Sequence, residues 1–189
     1  MAITTLNNRS INRSDTAASG QLWTATSATA SDFQAVSAGK ILQVVMGLKT
    51  DTTTIASATP AAISGLTVAI TPAATSSKVL VQVSIGGIGQ TNVDQKIYFM
   101  ITGGNTATYV GDAATGYECA SVCWIGQASY GEQHAQMMYL DSPSTTSEIT
   151  YGVNWWTSGT GTGYLNRTSA GGSGSGNTAS TIIATEVGA

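Results

Sequence analysis

The chain has 189 residues, of which 42% are hydrophobic and only 9% are charged, and its formal net charge is −3. This length fits about one domain, and the charged fraction lies far below the roughly 25% of ordinary soluble domains. Because a phosphate-binding surface needs clustered Lys and Arg, the seven scattered basic residues argue against nucleic-acid binding. No apolar run approaches the length of about 18 residues that a transmembrane helix requires, which argues against membrane insertion.

Residues 1–38 are rich in Thr, Ser, Asn and Ala, and their few apolar side chains follow no clear period. We predict an extended N-terminal arm over residues 1–38 that attaches the chain to a partner, and a β-domain over residues 39–189. Trp23 and Phe33 stand isolated in the arm and are candidate partner-contact residues; alternatively, they pack on their own domain. The first fifteen residues lack the hydrophobic stretch of a secretory signal, so we expect synthesis in a cytoplasm.

The first part of the β-domain is patterned as strands separated by turns. Residues 41–50 predict a strand in which Gly47 marks a bulge. Between Ala62 and Ile85, two runs of alternating apolar and polar residues flank a Thr/Ser-rich turn at 71–77. Period-two alternation on both sides of a turn predicts two half-buried strands, which we interpret as a hairpin.

The remainder of the domain continues in the same pattern. Residues 96–102 alternate, Gly103-Gly104-Asn105 predicts a turn, and residues 107–110 are expected to complete a second hairpin. Further strands are expected at 117–125, 133–140, 148–156, 164–167 and 181–187, with a Gly/Ser-rich loop at 171–176. Evenly spaced strands without a sustained helical period predict an all-β fold, an antiparallel β-sandwich of which a jelly roll is the preferred version.

No catalytic motif stands out in this sequence. His134, the only histidine, is predicted to lie at the surface or at an interface. No serine lies in a G-x-S-x-G elbow, and no pair of acids is marked as the facing carboxylates of a glycosidase. Seven acids are spread singly and are each predicted to be solvated: Asp94, Asp112, Glu118, Glu132, Asp141, Glu148 and Glu186. We therefore expect no catalytic residues, no cofactor and no metal site.

Two pairs of residues require separate interpretation. Cys119 and Cys123 would lie about 13 Å apart on an extended strand, beyond the roughly 7 Å that a disulfide allows, so we predict free, packed thiols; a curled segment would permit a bridge. Trp155 and Trp156 are adjacent and must point to opposite faces of a strand. One can enter the core while the other faces outward or into a subunit contact, which makes Trp156 a candidate partner contact. Ordinary core filling and strand-pair contacts are the favoured interpretation.

Four blocks of the chain resemble a β-domain that recurs in structural proteins of tailed bacteriophages, notably those of cyanobacteria and other marine bacteria. The blocks are GKILQVV at 39–45, SGLTVAITPAATSSKVLV at 64–81, YLDSPSTTSEITYGV at 139–153 and YLNRTSAGGSGSGNTASTIIATEV at 164–187. They occur in the order of that family and cover most of residues 39–187. The opening MAITTLNNRSIN is also similar to the starts of phage fibre and appendage proteins. At 95–112 the family usually has a more charged, Arg-containing strand, so no role of that Arg carries over.

The resemblance implies a non-enzymatic virion structural protein, made in the host cytoplasm and assembled as a homo-oligomer, with trimers common among such appendages. Its partners would be other virion proteins of the capsid or tail, and a host-surface glycan is a candidate ligand. Two placements stay open, a tail fibre or appendage component and a capsid decoration protein of the cement or head-fibre type. A carbohydrate-degrading depolymerase is a further alternative, and it would need acids that converge in an intersubunit groove.

Overall fold

Twelve strands make up the described parts of the chain. The computed structural model describes the backbone of residues 21–25 and 31–35, and residues 40–106, 109–112, 116–125, 133–169 and 176–188 in full. The chain divides into two units, Met1–Ala38 and Gly39–Ala189. In the first unit, β1 (Gln21–Ala25) and β2 (Ser31–Ala35) pair antiparallel, an element that composition alone does not predict. The rest of the predicted arm lies outside the described residues.

The second unit confirms the all-β prediction, and its described residues contain no α-helix. Its strands are β3 (Ile41–Lys49), β4 (Thr53–Ile55), β5 (Ala61–Ile70), β6 (Lys78–Gln90), β7 (Lys96–Thr102), β8 (Val122–Ile125), β9 (Gln133–Asp141), β10 (Ile149–Thr157), β11 (Gly163–Leu165) and β12 (Ser180–Val187). Within the described part of the chain, nothing has the helical length and apolarity needed to cross a bilayer.

Two antiparallel sheets organise these strands. The four-stranded sheet has the order β5-β10-β7-β8. The six-stranded sheet has the order β3-β12-β6-β11-β4, and β9 pairs along β6. Strand alternation directs one face of each sheet inward, and the buried side chains of both sheets form a single hydrophobic cluster. In the six-stranded sheet we call the face toward this cluster the inner face and the opposite one the outer face.

Strand β6 shows how the alternation produces the inner face. Val79, Val81, Val83 and Ile85 are at most 3% exposed, whereas Gln82 and Ser84 between them are exposed on the outer face. Full burial of such side chains stabilises the fold by about 1.5–3 kcal/mol each. The predicted strand is therefore confirmed, and its inner residues contribute directly to the core.

Both hairpin predictions are wrong. Strand β5 pairs with β10 in the four-stranded sheet, and β6 pairs with β12 and β9 in the other sheet, so the turn at 71–77 connects two sheets. Likewise β7 pairs with β10 and β8, and residues 109–112 form no strand, while residues 107 and 108 lie outside the described residues. Alternation specifies that a strand buries one face, but it does not specify which strand lies beside it.

The bulge that the sequence predicts at Gly47 is also absent. Gly47 pairs regularly with Ile182, so the β3–β12 ladder is continuous at this point. Its hydrogen faces inward, where a Cβ atom would collide with the carbonyl oxygen of Thr67 on β5. Glycine is therefore required here by the close approach of β3 to the backbone of β5.

Candidate functional site

Two of the seven acids are buried, which corrects the prediction that all of them are solvated. Asp141 and Glu186 are fully inaccessible to solvent. Both occupy inner-face positions, and both lie opposite Val79, with Asp141 on β9 and Glu186 on β12. Glu132 lies outside the described residues. The other four are exposed, as predicted: Asp94, Asp112, Glu118 and Glu148.

Asp141 is held by donors from two other elements. The Tyr151 hydroxyl on β10 donates to Oδ2 at 2.6 Å, and the Asn105 N–H lies 3.2 Å from both carboxylate oxygens. Gly104 has a φ of +52°, and a Cβ atom there would collide with Oδ2 of Asp141. The predicted turn at 103–105 is confirmed, and its glycine lets the backbone close over the carboxylate. Burial, together with this hydrogen bond, raises the pKa of Tyr151.

Glu186 holds the turn between the two sheets. Its Oε1 accepts the Ala73 N–H at 2.7 Å, and its Oε2 accepts a hydrogen bond of 2.6 Å from the Gln43 side chain. Gln43 also donates to the Thr71 carbonyl oxygen at 2.7 Å. Burial alone would raise the pKa of Glu186, but the hydrogen bonds from Gln43 and the Ala73 backbone oppose it, and the pKa is lowered.

The row through Val79 therefore brings two carboxylates to one side of the sheet, with their Cα atoms about 10 Å apart across two strand spacings. An inverting glycosidase holds its carboxyl groups about 6.5–9.5 Å apart around a bound sugar, and its acid has a raised pKa. Here the carboxylates face different turns, each is filled by protein donors, and the pKa of Glu186 is lowered. This geometry suits fastening turns 71–77 and 103–105 to the sheet.

The remaining polar candidates do not converge. Among the described residues, no three His, Cys, Asp or Glu side chains come together as a metal site would require. Cys119 and Cys123 are free, as predicted, but Cys123 is exposed and not packed. His134 is exposed on β9, as predicted. The hydrogen bond from Lys49 to Asp51, 2.8 Å long, lowers the pKa of the exposed Asp51.

The tryptophans do not provide an outward anchor. Trp155 lies in the core and stacks on Phe99 with ring centroids 6.3 Å apart. Trp156 points to the opposite face, as the alternation requires, but it is only 2% exposed and stacks on Tyr98 at 5.2 Å. It therefore presents almost no surface to a partner, so the candidate outward contact is wrong and the favoured core-filling interpretation is confirmed. Trp23 and Phe33 lie opposite each other in the β1–β2 pair, and their side chains lie outside the described residues.

The outer face of the six-stranded sheet is the feature that the sequence interpretation missed. Its residues on β3, β12, β6 and β9 align in three rows across the sheet. The rows are Leu48–Thr181–Ser84–Gln136, Met46–Ile183–Gln82–Met138 and Val44–Thr185–Leu80–Leu140. None of these twelve residues is charged. The sequence of β3 does indicate this face, because apolar residues occupy successive positions and both faces of the strand are consequently apolar.

Large apolar side chains on this outer face are accessible to solvent. Leu42, Val44, Met46 and Leu48 on β3, with Met138 and Leu140 on β9, are 46–60% exposed. An open trough of about 460 Å³ lies over β12, β6 and β9, and Ser84, Thr181, Gln136 and Met138 help to line it. Seven of the twelve row residues are apolar and the other five are uncharged Ser, Thr or Gln. Exposed apolar surface of this extent on one face marks an interaction site. The outer face is therefore the candidate functional site.

Comparison with known proteins gives no family for this chain: no family model matches it, and no curated protein matches it either.

Proposed function

We propose that this chain is a non-enzymatic structural protein of a bacteriophage virion, a surface-exposed component of a tail fibre or appendage that is attached through residues 1–38. The observation that carries the proposal is the uncharged, apolar outer face of the six-stranded sheet, because such a face suits assembly with other proteins. The four sequence blocks that resemble the phage β-domain are the reason for proposing a virion as the assembly.

The strand order supports a β-sandwich of the jelly-roll type as the scaffold. Lettered B to I in chain order, the eight strands concerned are β3, β5, β6, β7, β8, β9, β10 and β12. The six-stranded sheet then contains the order B-I-D-G, and the four-stranded sheet has the order C-H-E-F. This is the strand order of a jelly roll, an architecture common in viral capsid domains. In this proposal β4 and β11 are additions to the six-stranded sheet.

The low charge of the chain fits the same role. A neutral surface rich in Ser, Thr and Gly carries few groups that repel a neighbouring subunit. In the proposal the chain forms a homo-oligomer, a trimer by analogy with other appendages, and residues 1–38 bind the capsid or tail.

Quantitative mass spectrometry of purified virus particles from the cells that produce the chain tests this function. We expect the chain to co-purify with the major capsid protein at a fixed ratio. A few dozen copies or fewer per particle would support a fibre or appendage, and hundreds would support capsid decoration. Finding the chain in the soluble fraction alone would refute a virion role.

Deletion of residues 2–30 tests the attachment. We expect the truncated chain to be lost from particles, while a chain in which these residues are replaced by an equally long Gly/Ser sequence serves as the control for length. Wild-type incorporation of both variants would refute attachment through the arm.

A further inference from the structure

We propose that a second copy of this chain covers the outer face of the six-stranded sheet, so that this face is the subunit contact of a homo-oligomer. The inference rests on the proposed assembly role, for which it names the partner. Exposure alone does not identify the partner that covers an apolar face. Size, charge and the edge strand β3 favour another copy.

The dimensions of the outer face match a subunit contact. Four strands about 4.8 Å apart and eight residues of about 3.3 Å each give a face of roughly 19 Å by 26 Å, or roughly 500 Å². Two such faces bury roughly 1,000 Å² together, which is about the area that a specific interface must exceed.

The charge distribution is compatible with a like surface. The three rows of the outer face contain no charged residue, and Lys78 lies at one end of the face, where β6 begins. A nucleic acid or a charged protein would need complementary charges on this surface. A second copy of the chain brings only Lys78, at the end of the face, so the three uncharged rows can be covered without an unpaired buried charge.

Most of strand β3 lacks the usual protection of an exposed edge. Among the described strands it pairs with β12 alone, so it is an edge strand of its sheet. Monomeric proteins protect such edges with Lys, Pro or bulges. From Gln43 to Leu48 the strand contains no charge and no Pro and its ladder to β12 is regular, and Lys49 is buried. One register shift lies between Gln43 and Ile41, next to the exposed Lys40 at the start of the strand. An edge strand with apolar outward residues and protection at one end only is expected where another subunit covers it.

The outer face also has a trough that side chains of another subunit can fill. Ser84 and Thr181 line the trough together with Met138, and Met46 lies in the same row as Met138, on the edge strand β3. Methionine side chains adapt their shape to an apolar partner. Subunits that pack here gain contacts with both methionines, which makes these two positions the sharpest test of the contact.

The test compares substitutions of equal exposure on and off the outer face of the full-length protein. Met46→Glu and Met138→Glu change side chains that are 60% and 58% exposed, on β3 and β9. Val93→Glu is the matched control, because Val93 is 57% exposed and lies in the turn between β6 and β7. Sedimentation equilibrium measures the mass of each protein over a range of concentrations, and circular dichroism checks that each is folded.

We expect the wild type and Val93→Glu to be oligomeric, and Met46→Glu and Met138→Glu each to weaken self-association at least about 100-fold, because each would bury an unpaired charge. A trimeric wild-type mass supports the proposed trimer; a dimer that the same substitutions dissociate supports the contact and refutes the trimer. A monomeric wild type at about 100 μM, or oligomers unaffected by both substitutions, would overturn the inference.

Two outcomes separate this inference from the proposed function. A chain that self-associates through the outer face but is absent from virus particles retains the inference and refutes the virion role. A monomeric wild type in which Met46 and Met138 resist oxidation by peroxide would assign the face to residues 1–38 of the same chain, and would overturn the inference while leaving the virion role intact.

Discussion

The inner and outer faces of the six-stranded sheet are both largely apolar, and their charges are distributed in the reverse of the ordinary arrangement. The inner face holds Lys49, Asp141 and Glu186, all almost fully buried, whereas the three outer rows hold no charge. A sheet with one solvated face normally alternates apolar inside with polar outside. Residues buried on the inner face therefore stabilise the fold and hold the turns at 71–77 and 103–105, while the outer apolar surface is available for assembly.

Two adjacent isoleucines of β12 separate the contributions of the two faces. Ile182 is fully buried on the inner face, and Ile183 is partly exposed on the outer face. We expect Ile182→Ala to lower the free energy of unfolding by about 3–4 kcal/mol, because it removes apolar contacts and leaves a cavity in the core. Ile183→Ala should cost less than about 1 kcal/mol. Urea denaturation, at a concentration where the chain is monomeric, measures both.

The pair is internally controlled, because both substitutions remove the same atoms from neighbouring positions of one strand. Equal losses for the two variants would show that the outer face is as tightly packed within the subunit as the inner one. That result would contradict the distinction between the two faces.

Gly47 tests the same comparison at the point where β3 approaches the other sheet. An added methyl group on the inner side would collide with the Thr67 carbonyl oxygen and lie 3.0 Å from Ile182 Cγ2. Because the obstruction is backbone, we expect Gly47→Ala to destabilise the protein by about 2 kcal/mol in urea denaturation. The control is Gly111→Ala, where the nearest atom would lie 3.8 Å away. A Gly47→Ala protein as stable as Gly111→Ala would show that β3 is free to move outward.

The sequence predicts the strands of the β-domain well, because alternation reports directly that one face is buried. Residues 96–102 coincide with β7, and residues 133–140 fall within β9. Strand partners were not predictable in this way, since β5 and β6 alternate equally well as a hairpin or in separate sheets. The buried carboxylates were also missed, because an isolated acid at the end of a strand has the same local sequence whether a turn folds over it or not. Asp141 accepts from Tyr151, 10 residues away on the next strand, and from Asn105, 36 residues away. The donors to Glu186 lie 113 and 143 residues away.

Glu186 provides the smallest expected effect and the one that depends on pH. Its hydrogen bonds to Gln43 and the Ala73 N–H lower its pKa below the ordinary value of 4.5, so its ionised form favours the folded state. This stabilisation is fully present above about pH 4.5 and is lost as the pH falls through the lower folded-state value. We expect Glu186→Gln to cost about 1.5 kcal/mol at pH 7, since the new amide places a donor against existing donors.

The difference in unfolding free energy between the wild type and Glu186→Gln should therefore shrink between pH 5 and pH 3, because the wild type loses the contribution that the variant already lacks. Urea denaturation across this range measures it, and Glu148→Gln is the control, because Glu148 is exposed and should leave the pH profile parallel to that of the wild type. A constant difference across the range would mean that the charge of Glu186 contributes nothing to holding the turn at 71–77. The inner face would then hold this turn by shape alone, and its charge would no longer distinguish it from the outer face.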